Sequence, residues 1–275
     1  MVLNADWHLT SREAQLAGEM LASGVTILGR ANHAQKGLYI QAFFNLSIGF
    51  ERIAKLIVLG NHRIEKGVWM TNDELKSIGH DTNKLFLACS SIGEQYVHQH
   101  SWHIKPKNEI CTYIVDCLTE FAKSSRYYNL DNLSAQASVR STEPVSTWWT
   151  KVGLPILDKH YSKKKRTYHE NLANAFGVGT KKFVYVLHHD EIGTPIDNIE
   201  GMMIQAAQNR IVQKYGQLYT LQLIRWLSTI IYDLSHKGAF ENQIEGLLGL
   251  YEPFSIFYND DNYFQTRKTW SIYNR

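Results

Sequence analysis

Four polar side chains in the first third of the chain have the types that phosphate chemistry needs: Glu51, Arg52, Lys55 and, some twenty-five residues on, His80. A histidine moves a proton near neutral pH, and a guanidinium or ammonium stabilises charge gathering on a phosphoryl centre. Arg126 adds a further cation. A second set lies near the C-terminal end, Arg225, Asp233 and His236. Eleven residues on one helix bring Arg225 and His236 back to within roughly 20° of the same face. Each set also has a structural reading. His80 can hold a helix end or hydrogen-bond Glu51 or Asp81. Glu51 and Lys55 stand at i,i+4 in the favourable order and form a solvated ion pair. Arg126 suits the negative end of a helix dipole. The segment between Arg225 and His236 is apolar enough for a buried structural network.

Lys163, Lys164, Lys165 and Arg166, with Lys181 and Lys182, make a basic segment that can contact phosphates, and Trp148, Trp149 and Tyr168 are available to stack on bases. The alternative is a solvated helix end. His98, His100 and His103, and the run His188-His189-Asp190-Glu191, are the candidate metal ligands, each equally readable as a polar loop. Beside the first run the chain offers only Glu94, and nowhere does it carry HExxH, a P-loop or GxGxxG. Zinc-protease, NTPase and dinucleotide chemistry therefore have no motif. No metal and no cofactor is expected. Cys89, Cys111 and Cys117 make no CxxC pair, which points to a reducing compartment.

The elements that must position these groups read as helices. From Leu38 to Leu59, Phe43, Leu46, Phe50, Ile53 and Ile57 share an arc of about 80°, and Gln41, Asn45, Glu51, Arg52 and Lys55 occupy a second. Glu51, Arg52 and Lys55 near its middle make this a core helix and not a membrane span. It is expected to end near Gly60-Asn61. Thr10-Ser11-Arg12-Glu13 and Thr71-Asn72-Asp73-Glu74 read as capping boxes, Gly79 as a stop, and Asp81 as the cap of the next helix. Ile110, Tyr113, Ile114, Cys117, Leu118 and Phe121 set the helical period of residues 109–126. Further on, a lone strand is expected at Phe183–Leu187. Separate helices are expected at Asn198–Tyr215, Leu218–Ser235 and Glu241–Tyr251. The tail from Tyr251 onward holds eight aromatics and is expected to pack on the body or on a partner. The Asn- and Ser-rich stretch from Tyr127 to Pro144 is the expected boundary between residues 1–130 and 131–275.

Net charge is only +3 over 275 residues, so global charge makes no case for nucleic acid and local patches must. The N-terminus has neither a basic nor an apolar leader region, and a cytoplasmic location is expected.

The run AFFNLSIGFERIAKLIVL, then GHDTNKLF, then a helix closing in SSRYY, resembles the HEPN superfamily of small all-α bundles over the first 130 residues or so. The resemblance matches Glu51 and Lys55 on the long helix, the Gly79-His80-Asp81 turn, and Arg126-Tyr127 at a helix end. It implies an all-α, HEPN-like helical bundle with a helical C-terminal extension, pairing as a homodimer. It also implies a bacterial defence or toxin-type protein acting on RNA, with Arg52, His80 and Arg126 along a cleft and a metal-independent ribonuclease as the strongest form. That activity in the family rests on an Arg followed after four to six residues by a His, and no Arg in this chain is so followed. The alternative is a non-catalytic HEPN-like module that binds a partner protein, such as an antitoxin or defence-system component, or a nucleotide.

Overall fold

The computed structural model describes residues 3–96, 101–126, 128, 133, 143–180 and 185–273. They are almost wholly helical, with a single two-stranded hairpin among them. His98, His100, Tyr127, Lys181, Lys182, Phe183 and most of the 127–142 stretch lie outside the described residues.

Helix α1, Ala5–Leu28, starts earlier than the Thr10 capping box predicts because Asn4 caps it, its side chain accepting from the Trp7 amide. The predicted box is dismantled by tertiary contacts. The Thr10 hydroxyl donates to the Gly246 carbonyl at 2.6 Å, and Glu13 binds Arg52. Helix α2, Lys36–Lys66, runs past the expected stop at Gly60. There Gly60 is closely packed by Leu234 and Asn61 bonds Glu65 one turn on at 2.9 Å. The helix ends instead at Gly67, whose left-handed φ of 74° lets its N–H reach the Arg63 carbonyl. α1 and α2 pack antiparallel, with Leu21 seated on Gly49 and Leu46 on Gly24.

Helix α3, Asn72–Ile78, opens on the predicted capping box, Thr71 and Glu74 bonding reciprocally, and stops at Gly79 with φ 71°. Asp81 caps α4, Thr82–Gly93. Asn108 caps α5, Glu109–Glu120, which continues as a π-turn over Phe121–Ser125. Helix α6, Pro144–Trp148, passes through a second π-turn, Trp149–Gly153, into α7, Leu154–His160. Helix α8, Lys163–Thr180, follows a tight bend.

Of the expected strand at 183–187, the described residues 185–187 are not in a strand, and a hairpin forms slightly downstream, β1 His188–His189 paired with β2 Pro195–Ile196. Its position is set by the turn: Asp190 Oδ1 accepts from the Ile192 and Thr194 amides, and Gly193 takes φ 91°. The two helices expected around residue 216 are one, α9, Ile199–His236, of 38 residues. A helical glycine costs about 1 kcal/mol. Here burial of every residue from Gly216 to Leu221 outweighs that. The expected helix at 241–251 is instead a π-turn, Lys237–Glu241, and a 3₁₀ turn, Glu245–Leu247, because Gln243 (φ 54°) and Gly249 (φ 70°) are left-handed. The chain closes with a 3₁₀ turn, Glu252–Phe257, and α10, Asp261–Thr266.

One hydrophobic cluster runs from Ala14 to Trp270. α9 is its axis: Trp226 meets Phe86 edge-on at 5.3 Å, and Phe86 meets Phe50 at 5.4 Å. Phe254, Phe257, Phe264 and Trp270 of the tail are buried in it. Each such aromatic contributes about 1.5–3 kcal/mol through burial. A small separate cluster, Val186, Ile196 and Ile199, underlies the hairpin. Among the described residues no helix is long and apolar enough to cross a membrane.

Candidate nucleic-acid interface

The polar stripe of α2 is divided by its partners. Glu51 Oε1 accepts from Lys55 Nζ at 2.8 Å and sits 2.8 Å from His80 Nδ1. Burial pushes the Glu51 carboxyl up, but the hydrogen bonds and charge from Lys55 and His80 more than offset it, and the net shift is down. His80 is 79 % exposed, at the rim of the protein. The turn carrying it is tied down a second time, by Asp81 Oδ2 and Lys123 Nζ at 2.7 Å. Arg52 points elsewhere. Its Nη1 lies 2.6 and 2.7 Å from the two Glu13 oxygens, beside an apolar pocket of about 430 Å³ that also includes Leu9, Trp69 and Leu250. His80 and Arg52 are therefore engaged by different carboxylates, Glu51 and Glu13, and not by each other.

Arg126 stands over the Phe44 ring at 5.0 Å, on a cleft of about 710 Å³ shared with Lys36, Glu143 and Glu191. Glu191 is buried, hydrogen-bonded by Gln205 and, at 3.4 Å, by Tyr39. Burial raises its carboxyl despite those bonds. Nearby His33 is lowered by burial and by the charges of His188 and Lys36, and takes the Asn209 amide at 2.8 Å. This network fastens the hairpin to α2 and α9.

Arg225 and His236 share a face of α9 but stand about 16 Å apart along it, in different surroundings. Arg225 is 12 % exposed and binds the Asn259 carbonyl and Asp261, each at 2.9 Å. It is flanked by the Trp102 and Phe264 rings. His236 stacks on Tyr251 with 5.3 Å between centroids. The structure brings neither pair, Arg52 with His80 nor Arg225 with His236, into one reacting centre.

The basic segment is different. A bend at Tyr161-Ser162 joins α7 to α8, held by Arg166, whose Nε donates to the Tyr161 carbonyl at 2.8 Å and whose Nη2 donates to the Leu157 carbonyl at 3.3 Å. Arg166 is thereby committed to closing α7. The bend is locked again by Tyr161 Oη and His169 Nδ1 at 2.9 Å. At the end of α7, the His160 ring stacks flat on Tyr215 of α9, with centroids 3.5 Å apart and planes at 7°, and its Nε2 lies 2.7 Å from Tyr219 Oη.

Around that stack gather Lys159 of α7, Lys165 of α8 and Lys214 of α9, all exposed. Lys159 Nζ lies over the Tyr219 ring and Lys214 Nζ over Tyr215, at 5.4 and 5.6 Å. His160 is pushed down to about 4, first by burial and then by the charges of Lys159, Lys165 and Lys214, so it is neutral at pH 7. Lys163 and Lys164 add two further ammonium groups in the first turn of α8, fanned around the helix at about 100° per residue. Among the described residues none of these five lysines makes an ion pair with a carboxylate.

No family model, no curated protein and no solved structure matches this chain. The site's chemistry must be read from its own residues.

Lys159, His160 and Lys214 are absent from the sequence reading. Lys214 lies some fifty residues beyond the basic run, and only the crossing of α9 under the bend of α7 and α8 brings it there. Among the described residues no group of three or more His, Cys, Asp or Glu side chains is placed to hold a metal ion. His103 lies in a 3₁₀ turn where its carbonyl accepts from Trp226 Nε1 at 3.1 Å. The three thiols are buried, and burial pushes Cys111 and Cys117 up to about 12. None is an activated nucleophile.

Proposed function

We propose that this chain is an RNA-binding protein that holds its ligand without cutting it, through the basic elbow formed by α7, α8 and α9. One observation carries the reading: Lys159, Lys165 and Lys214 converge from three helices around a neutral His160–Tyr215 stack, Lys163 and Lys164 precede Lys165 in the same turn of α8, and among the described residues no carboxylate is ion-paired to any of the five. Unpaired like charges at close range are an electrostatic liability that a phosphate backbone relieves, and aromatic groups beside them offer stacking surface. Cleavage has no comparable support, since Arg52 is bound by Glu13 and Arg225 by Asp261. Within the HEPN-like resemblance, the proposal is of a non-catalytic module of a bacterial defence or toxin system, with RNA as the partner.

The test is fluorescence polarisation of a labelled RNA over a salt series. Each phosphate contact contributes about 0.7 to the slope of log K against log salt for a single strand. Lys159→Gln, Lys165→Gln and Lys214→Gln together are expected to lower that slope by about 2. A slope unchanged in the triple variant would remove the elbow from consideration. The same RNA is expected to stay full length in EDTA. Cutting that persists in EDTA and disappears in His80→Ala would overturn the non-cleaving reading.

A further inference from the structure

We infer that the RNA taken by this face is single-stranded, and that its bases lie along one flank of α8. The inference rests on the proposed elbow and adds the strand type and the residues that read it. α8 is 18 residues long yet fully buries only Ala173 and Gly177. With the half-buried His169 these sit within roughly 80° of one another and form the seam against α9. The seam is close: a Cβ on Gly177 would collide with the Glu200 carboxylate.

Away from this seam, Lys165, Tyr168, Leu172 and Phe176 stand at i, i+3, i+7 and i+11, within an arc of about 80°. Tyr168 is 63 % exposed, Leu172 46 % and Phe176 52 %. The stripe begins at Lys165, one of the lysines that depress His160, so it is continuous with the basic elbow. Tyr168 to Phe176 spans about 12 Å along the helix, room for a few nucleotides.

A duplex and a single strand ask different things of such a surface. In an A-form duplex the base faces are stacked inside, and phosphates and 2′-hydroxyls are what a protein meets. Exposed rings gain nothing there. A single strand presents base faces that stack on aromatic side chains, whatever the base, while lysines follow the backbone. A cationic head leading into an apolar, aromatic flank matches the second ligand. Among the described residues the lysines have no carboxylate ion-pair partner, which argues for a polyanion over a neutral apolar partner.

The experiment measures binding of one labelled RNA of about 20 nucleotides, free and annealed to its complement, to the whole chain and two variants. The wild type is expected to bind the single strand at least tenfold more tightly than the duplex. Tyr168→Ala with Phe176→Ala is expected to weaken single-strand binding by about tenfold or more with the salt slope kept and duplex binding unmoved. Tyr168→Trp should retain affinity. Both ring positions are on the surface, so folding is not at stake. Equal affinity for the two forms, with no response to the ring variants, overturns the single-strand inference; lysine-dependent binding would then leave the elbow reading standing. Loss of neither in the lysine variant removes both. If an acidic amphipathic peptide binds in a Tyr168- and Phe176-dependent way while RNA ignores those residues, the flank is a protein-docking surface and the inference fails.

Discussion

The close packing of α1 on α2 sets up a test in which two opposing terms have known sizes. A Cβ added at Gly49 would lie 2.8 and 2.9 Å from Leu21 Cγ and Cδ2, and 3.1 Å from the Leu21 backbone nitrogen. The mirror contact at Gly24 puts a Cβ 2.7 and 2.9 Å from the Leu46 side chain and 3.0 Å from its backbone nitrogen. A leucine can turn away, but a backbone nitrogen cannot, so α1 and α2 must separate by several tenths of an ångström. Helix propensity favours alanine over glycine by about 1 kcal/mol, while forcing a methyl into a packed core costs about 1–3 kcal/mol. Gly49→Ala is therefore expected to lose about 1 kcal/mol, and Gly24→Ala with Gly49→Ala about 2 or more. Gly37→Ala is the reference. It lies in the first turn of α2 with nothing within 4 Å of the new Cβ, and should gain up to about 1 kcal/mol.

Urea unfolding followed by tryptophan fluorescence measures all four proteins. A double-mutant cycle with Leu21→Ala adds the mechanism. Leu21→Ala alone is expected to cost about 2–5 kcal/mol, and less in the Gly49→Ala background, where the new methyl fills part of the hole, with a coupling of about 1 kcal/mol. If Gly49→Ala raises stability as Gly37→Ala does, close approach is not what those glycines provide, and the account of the α1–α2 seam is wrong.

Three further outcomes follow from the contacts. His80→Ala should change stability by no more than about 0.5 kcal/mol, because the ring is exposed and Glu51 keeps Lys55; a loss above 2 kcal/mol in urea unfolding would show the turn to be a structural pivot. His160 titrates near 4 folded and near 6.5 unfolded, so the unfolded chain binds its proton first as pH falls. The stabilisation is whole above about pH 6.5 and disappears between there and pH 4. It amounts to about 1 kcal/mol once solvent screening is allowed for, and urea midpoints across that window should flatten in His160→Asn. Arg225→Met removes a guanidinium held by Asn259, Asp261 and two rings. It should cost about 2–4 kcal/mol and speed proteolysis within residues 250–273, and an unchanged digestion rate would contradict the tail's anchoring there.

Much of the fold is legible in the sequence wherever a short-range signal decides the outcome. The Thr71–Glu74 box, the stop at Gly79, the cap at Asp81 and the period of α5 are all local. Prediction departs from structure where a distant contact outbids a local preference. Thr10 and Glu13 have the spacing of a box, yet Gly246 and Arg52 claim them. Gly60 has the look of a helix end, but Leu234 packs against it and α2 continues. The residues proposed for catalysis follow the same pattern. The Glu51–Lys55 pair is readable from its i,i+4 spacing and a bond from His80 to Glu51 stands among the alternatives for that histidine, whereas the pairing of Arg52 with Glu13 across 39 positions is not readable.

The difference between the α2 stripe and the elbow is one of satisfied against unsatisfied charge. On α2, Arg52 faces Glu13 and Lys55 faces Glu51, so the stripe presents little net field. At the elbow, the ammonium groups of Lys159, Lys165 and Lys214 act on His160 together with its burial. Their mutual repulsion opposes folding at low salt, because screening among exposed charges is weak when the Debye length exceeds their separation. A polyanion bound there removes that term in addition to its own binding energy. Folding stability should therefore rise with RNA by RT ln(1 + [L]/Kd), about 2.7 kcal/mol at a hundredfold excess over Kd. The lysine triple variant, relieved of the repulsion, should be more stable than the wild type without RNA and less responsive to it. Unfolding curves with and without RNA at low salt measure both effects. If the variant is no more stable alone and still gains as much from RNA, the elbow is neither strained nor the binding face.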